Sequence, residues 1–228
     1  MIAMKRITVL LAEDHQVVRE GFRSLLEHEP DIEVVGEAET GRQAVQLTRK
    51  LRPEVVVMDI AMPLLNGLEA TRQIRKKFPD TKLLILSAHG DAAYVEQATE
   101  LGASGFLLKQ TSSHNLAMAI REVQKGNTFF CSAMSKRLND RDQEPLARGG
   151  GLKKSSNRLS SREAEVLQLI AEGKPNKQVA AELNVSFKTV DKHRQHLMSK
   201  LDIHDVAGLT RYAIAEGIID SNVRVTIN

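Results

Sequence analysis

Residues 1–126 alternate five times between two kinds of segment, and no other feature of the 228-residue chain limits its fold as much. The stretches ITVLLA (Ile7 to Ala12), EVVGEA (Glu33 to Ala38), VVVM (Val55 to Met58), KLLILS (Lys82 to Ser87) and GFLLK (Gly105 to Lys109) are short and rich in Val, Ile, Leu and Phe. Between them, roughly His15–His28, Gly41–Leu51, Gly67–Lys77, Ala92–Leu101 and Ser113–Lys125 are longer and carry apolar residues at helical spacing. Five β-α units of this kind predict an α/β domain: a doubly wound, five-stranded parallel sheet with helices on both faces and right-handed crossovers. The unbroken run VVVM suits a strand buried on both faces. In such a sheet, ligand chemistry belongs at the carboxyl ends of the strands.

Those ends hold a set of polar residues. Glu13 and Asp14 follow the first strand, Asp59 the third, Ser87 ends the fourth and Lys109 the fifth. A single Asp after a strand is usually a helix cap or turn former. Five polar residues converging on one edge are not independent accidents. Three clustered carboxylates repel one another unless a cation sits among them, and Mg²⁺ takes a few carboxylates while keeping waters for a phosphate ligand. Lys109 is placed to pair with Asp59 at rest and with phosphoryl oxygens later, with the Ser87 hydroxyl as a further donor. His15 and His89 flank the site, but solvent-facing positions suit them better than ligation. The single cysteine, Cys131, is given no role.

The region from Lys5 to about Gly126 resembles the receiver domain of two-component response regulators, a flavodoxin-like fold. The resemblance rests on AED, on VVVMD followed by MP, on NG before the third helix, on the Ser after LLIL, and on GASGFLLK. It implies that Asp59 is the phosphoacceptor, that Glu13 and Asp14 are metal-site acids joined by the backbone carbonyl of Ala61, that Ser87 and Phe106 form a switch pair, and that Lys109 binds phosphate. From composition alone Phe106 is a core residue. The residue after Lys109 is Gln110 where that family commonly has proline, so no cis peptide is expected there.

Haloacid-dehalogenase-type phosphatases also place a nucleophilic Asp after a strand, but use a second acid two residues on. That position is Ala61, so turnover lacks a proton donor, and at most slow self-dephosphorylation is expected. There is no GxxxxGK loop or GxGxxG turn to support nucleotide hydrolysis or dinucleotide chemistry.

From about Thr128 to Arg158 the pattern fades into Gly, Ser and charge, which reads as a flexible linker at 127–158 between domains at 1–126 and 159–228. The formal net charge is only +3, and its excess lies in the linker. Periodicity returns with LSSREAEVLQLIAEG, where Ser161 is a candidate helix cap. Two apposed helices follow, turning near Asn184, and the second, about Phe187 to Leu201, presents Lys188, Asp191, Lys192, Arg194 and Gln195. A solvated face of a small bundle is the plain reading of that charge. The stretch Leu159 to Ile219, however, resembles the LuxR-type helix-turn-helix DNA-binding domain, and with the receiver it resembles the NarL/FixJ class. Asn184 departs from the common Gly, and Asp191 from a frequent Lys.

The resemblance implies an all-α second domain on double-stranded DNA and phosphoryl transfer from a sensor histidine kinase to Asp59. It also implies Mg²⁺ in the acidic site, a homodimer when phosphorylated, and no enzyme activity of its own. The alternative is a DNA-binding protein that uses the first domain only to dimerise. No apolar run approaches membrane-spanning length, and MIAMKRITVLLAED has no cleavage site, so a cytoplasmic location is expected.

Overall fold

The computed structural model describes residues 5–88, 92–110, 113–130 and 159–219. Cys131, His89 and nearly all of the expected linker therefore lie outside the described residues. The chain divides into two compact units, Met1–Pro145 and Leu146–Asn228.

In the first unit the order is β1 (Ile7–Ala12), α1 (Gln16–Glu27), β2 (Ile32–Ala38), α2 (Gly41–Leu51), β3 (Val55–Asp59), α3 (Gly67–Lys77), β4 (Lys82–Ser87), α4 (Ala92–Glu100), β5 (Gly105–Leu108), α5 (Ser113–Gln124) and β6 (Phe129–Phe130). All strands are parallel in the order β2-β1-β3-β4-β5-β6. Alternate residues of each strand feed two cores. Leu10, Val56, Met58, Ile85 and Phe106 pack with Ala44, Ile74 and Ala98 from α2, α3 and α4. Val9, Leu11, Val55, Val57, Leu84 and Leu107 pack with Phe22 and Leu26 of α1 and with Leu116, Ile120 and Val123 of α5. The parity of a strand thus explains why β3 is apolar at every position until Asp59.

The sheet has a sixth strand beyond the five expected, drawn from residues read as linker. Phe129 pairs with Gly105 and Phe130 with Phe106. Two residues are too few to show a period. A Cβ on Gly105 would stand 2.7 Å from the Phe129 carbonyl oxygen, so the glycine permits this edge pairing.

The second unit contains α6 (Ser161–Ala171), α7 (Asn176–Glu182), α8 (Phe187–Leu201) and α9 (Val206–Ala215). The cap of α6 is Ser160, one residue before the expected Ser161. Its hydroxyl accepts from Glu163 N–H while Glu163 Oε2 accepts from Ser160 N–H, a reciprocal capping box. With two adjacent serines, only the spacing to Glu163 selects the first. Glu163 Oε2 also meets Lys200 Nζ of α8 at 3.1 Å, tying the start of the first helix to the end of the third. Asn184 turns the chain between α7 and α8 at φ 50°, as expected of an asparagine.

Gly67 opens α3 against the end of β3, and a Cβ there would fall 1.8 Å from the Asp59 carbonyl oxygen. Gly21, on the exposed face of α1, has nothing within 4 Å of such a Cβ. Gly67→Ala is therefore expected to destabilise the first unit by about 3 kcal/mol, since backbone must shift. Gly21→Ala is expected to stabilise it by about 0.5–1 kcal/mol through helix propensity. Urea unfolding followed by circular dichroism measures both.

Candidate functional site

The register of the sheet assembles the site. Ala12 pairs with Met58, so Glu13 and Asp59 are neighbours just beyond and at the strand ends. Asp59 pairs with Leu86, placing Ser87 one step past it, and Ser87 pairs with Leu108, placing Lys109 next. Lys109 N–H donates to the Ser87 carbonyl at 2.8 Å. All the sequence-derived residues at the strand ends therefore share one edge.

Lys109 Nζ stands 2.7 Å from Glu13 Oε2 and 3.0 Å from Asp59 Oδ2. It meets both off axis, so neither buried oxygen has a well-directed hydrogen bond, and Asp14 Oδ1 is in the same condition. Ligand atoms of Glu13, Asp14, His15 and Asp59 lie within 4.8 Å of one another. Hard oxygen donors, underused and crowded, fit a hard divalent cation. The Ala61 carbonyl, in the loop after β3, accepts no backbone hydrogen bond among the described residues and is a compatible further donor. His15 is mostly exposed, and its Nδ1 lies 3.0 Å from Glu13 Oε1 and 2.9 Å from Asp14 Oδ1.

Burial pushes the Asp59 carboxyl up to about 7, Glu13 adds to the rise, and Lys109 opposes it. Burial likewise lifts Asp14 above its ordinary range, against the attraction of His15. Burial draws the Lys109 ammonium down, but Asp59 and Glu13 together hold it above its ordinary range. Ser87 is 4 % exposed at the end of β4, and Phe106 is wholly buried in β5.

Two supports hold the loops around these residues. Arg19 of α1 is buried, and its Nη1 donates to the Glu13 carbonyl at 2.7 Å while Nε and Nη2 reach Glu37 and Glu39. One arginine thereby pins the loop carrying both acids. On α1 alone it reads as a solvated cation, because its carboxylate partners lie 18 and 20 residues away. Asn66 caps α3 by accepting from Glu69 N–H, and Gly67 N–H donates to the Ile60 carbonyl, which shapes the loop after Asp59.

In the second unit, Val190 and Leu197 of α8 are buried, while Lys188, Lys192 and Gln195 are exposed. Asp191 is half-buried, and its Oδ2 accepts from Gln195 Nε2 at 3.2 Å. Arg194 departs from the outward placement expected of it: four residues after Val190, it shares the inner side and donates to Asn176 Oδ1 of α7 at 3.1 Å.

The comparisons with known proteins follow this division. Residues 9–121 match the response regulator receiver domain, and residues 157–213 match the luxR family of bacterial regulatory proteins. The chain is 35% identical to the transcriptional regulatory protein DegU of Brevibacillus brevis, covering 96% of each chain. It is 39% identical to LiaR of Bacillus subtilis, covering 91% of this chain and 96% of that one. A solved complex of the two-component response regulator RcsB with DNA is 29% identical, covers 91% of this chain and 98% of that one, and has a TM-score of 0.55.

The raised pKa of Asp59 carries a sign for stability. Its folded-state value lies above the ordinary 3.8, so the fold binds the extra proton, and stability falls as pH rises from about 4 to about 7. Asp59→Asn removes this penalty. In metal-free buffer the variant is expected to be more stable than the wild type at pH 8, with the advantage vanishing toward pH 4, in urea unfolding across that range.

Proposed function

Because the chain belongs to the two-component response regulators of the NarL/FixJ class, with a receiver and a LuxR-type DNA-binding domain, we propose that Asp59 is its phosphoacceptor and α8 its DNA-reading helix. It is a transcription regulator. The observation that carries the assignment of Asp59 is its buried carboxylate oxygen, 3.0 Å from Lys109 and without a directed hydrogen bond.

A sensor histidine kinase donates the phosphoryl group. An Asp59 carboxylate oxygen attacks phosphorus, the bond to the kinase imidazole breaks, and an acyl phosphate forms. Glu13, Asp14, Asp59 and the Ala61 carbonyl would hold Mg²⁺, whose charge offsets the clustered acids and the phosphoryl oxygens. Lys109 moves its charge-assisted contact from Asp59 to a phosphoryl oxygen, and the Ser87 hydroxyl donates to another. Drawing Ser87 toward the new group vacates space into which Phe106 turns, so the phosphoryl group shifts the population between two packings of β4 and β5. Hydrolysis is slow, since Ala61 offers no general acid.

The phosphorylated form pairs into a homodimer, with α9 joining two DNA-binding units. Val206 and Ile214 are exposed on that helix at 43% and 40%, an apolar surface suited to it. Lys188 and Lys192 neutralise phosphates in the major groove, while Asp191 and Gln195 face base edges. No helix among the described residues is long and apolar enough to cross a membrane. The proposed location is cytoplasmic, where kinase and chromosome are both reached.

Acetyl phosphate with Mg²⁺ is expected to add one base-labile phosphoryl group, read by intact mass, and Asp59→Asn to abolish it. Equal labelling of the variant would remove Asp59 from the role. Ser87→Ala is expected to be labelled like the wild type yet to lose most phosphate-dependent dimerisation in analytical ultracentrifugation.

On DNA, Lys188→Ala or Lys192→Ala is expected to weaken all sequences alike and to lower the salt slope by about one counterion. Asp191 accepts only, so its base partner is the cytosine amino group, and such a contact is worth about 1–3 kcal/mol of discrimination. Asp191→Lys is expected to change one base pair per half-site in binding-site selection. An unchanged consensus bound more tightly would mean that Asp191 only screens its lysine neighbours and holds Gln195.

A further inference from the structure

Phe187 is the first residue of α8 and is 58% exposed, the one aromatic among the exposed large hydrophobic residues described. An aromatic ring at a helix tip facing water costs solvation and contributes nothing to the core. Its polar neighbours are already engaged. The Ser186 hydroxyl caps the helix by accepting from Thr189 N–H at 3.1 Å and lies 2.8 Å from the Thr189 hydroxyl. Lys188 is a long cation suited to phosphate. Asp191 and Gln195 follow Phe187 at four-residue intervals on the same side of the helix and bond to each other. Phe187 is also three residues before the buried Val190 and seven before Arg194, so it stands at the flank of the exposed face, open to solvent because it begins the helix, and leads into the polar Asp191 and Gln195.

In helix-turn-helix docking the N-terminal residues of the recognition helix reach base edges. The major groove displays one apolar group among its hydrogen-bonding atoms, the thymine 5-methyl. Phosphates and sugars offer no such partner for an aromatic ring. We propose that Phe187 is a specificity residue that packs against a thymine 5-methyl group in each half-site. The inference rests on α8 being the DNA-reading helix and adds a base to its code.

The test uses the full chain, phosphorylated with acetyl phosphate. Binding-site selection from random duplexes yields the consensus. Each thymine in it is then replaced singly by deoxyuridine, which deletes the methyl and leaves every hydrogen-bonding group in place. Affinities are read by fluorescence anisotropy for the wild type, Phe187→Ala and Phe187→Leu. For the wild type, one replacement per half-site is expected to weaken binding about fourfold, the loss of one buried methyl. Phe187→Ala is expected to bind the thymine site more weakly and to be indifferent to uracil there, while Phe187→Leu keeps part of the discrimination.

A wild type indifferent to uracil at every position overturns the proposal. So does a Phe187→Ala protein as sensitive as the wild type. Equal gains in affinity on thymine and uracil sites for Phe187→Ala also overturn it, because they would mark the ring as a contact that competes with DNA. If the wild type enriches no sequence at all, the DNA-reading role of α8 fails along with it, a result separate from the others.

Discussion

The first unit depends on a concentration of negative charge that its fold holds at the carboxyl edge of a parallel sheet. Glu13 and Asp59 are each 2% exposed, and Lys109 is the cation that reaches both. One ammonium cannot satisfy two buried carboxylates and a third beside them, and burial first, with the neighbouring Glu13 second, raises the pKa of Asp59. A site with uncompensated negative charge is sensitive to anything that changes the count. A bound cation, a proton or a phosphoryl group each alters the arrangement around Lys109, and that sensitivity is what a switch requires.

Holding such a cluster requires rigid surroundings. Strand register delivers the residues, and the local backbone is shaped to admit them. Gly67 approaches the Asp59 carbonyl so closely that no side chain fits, and Gly41 approaches the Leu65 carbonyl in the same way. Between them Leu64 holds φ 67°, a conformation that costs a non-glycine residue roughly 1–2 kcal/mol. Arg19 anchors the opposing loop from below, with Glu37 and Glu39 balancing its charge. Leu64, with its positive φ, and the buried Glu13, Asp59, Asn66 and Ser87 lie on the loops and strand ends around the site.

The second unit solves a different problem with fewer residues. It presents one face of α8 and keeps the other packed. The capping box of Ser160 and Glu163, extended by Lys200, ties α6 to the far end of α8. Arg194 and Asn176 tie α8 to α7. With those links in place, the exposed face of α8 stands on a fixed support, and the proposed reading of base edges requires that rigidity.

Local pattern alone determined the five β-α units, the strand-end acids, Ser87 and Lys109, and the turn at Asn184. Each of these depends on side-chain periodicity or on the conformational preference of a single residue, and both are properties of neighbouring positions. The short β6 strand escaped because two residues carry no period. The choice of Ser160 over Ser161 turned on a bond reaching back from Glu163. Arg19 beneath the acids and Arg194 against Asn176 were decided only by the tertiary structure, as were the off-axis contacts of Lys109. In each case the partner is distant along the chain, and a charged residue on a helix looks solvated until packing shows what it faces.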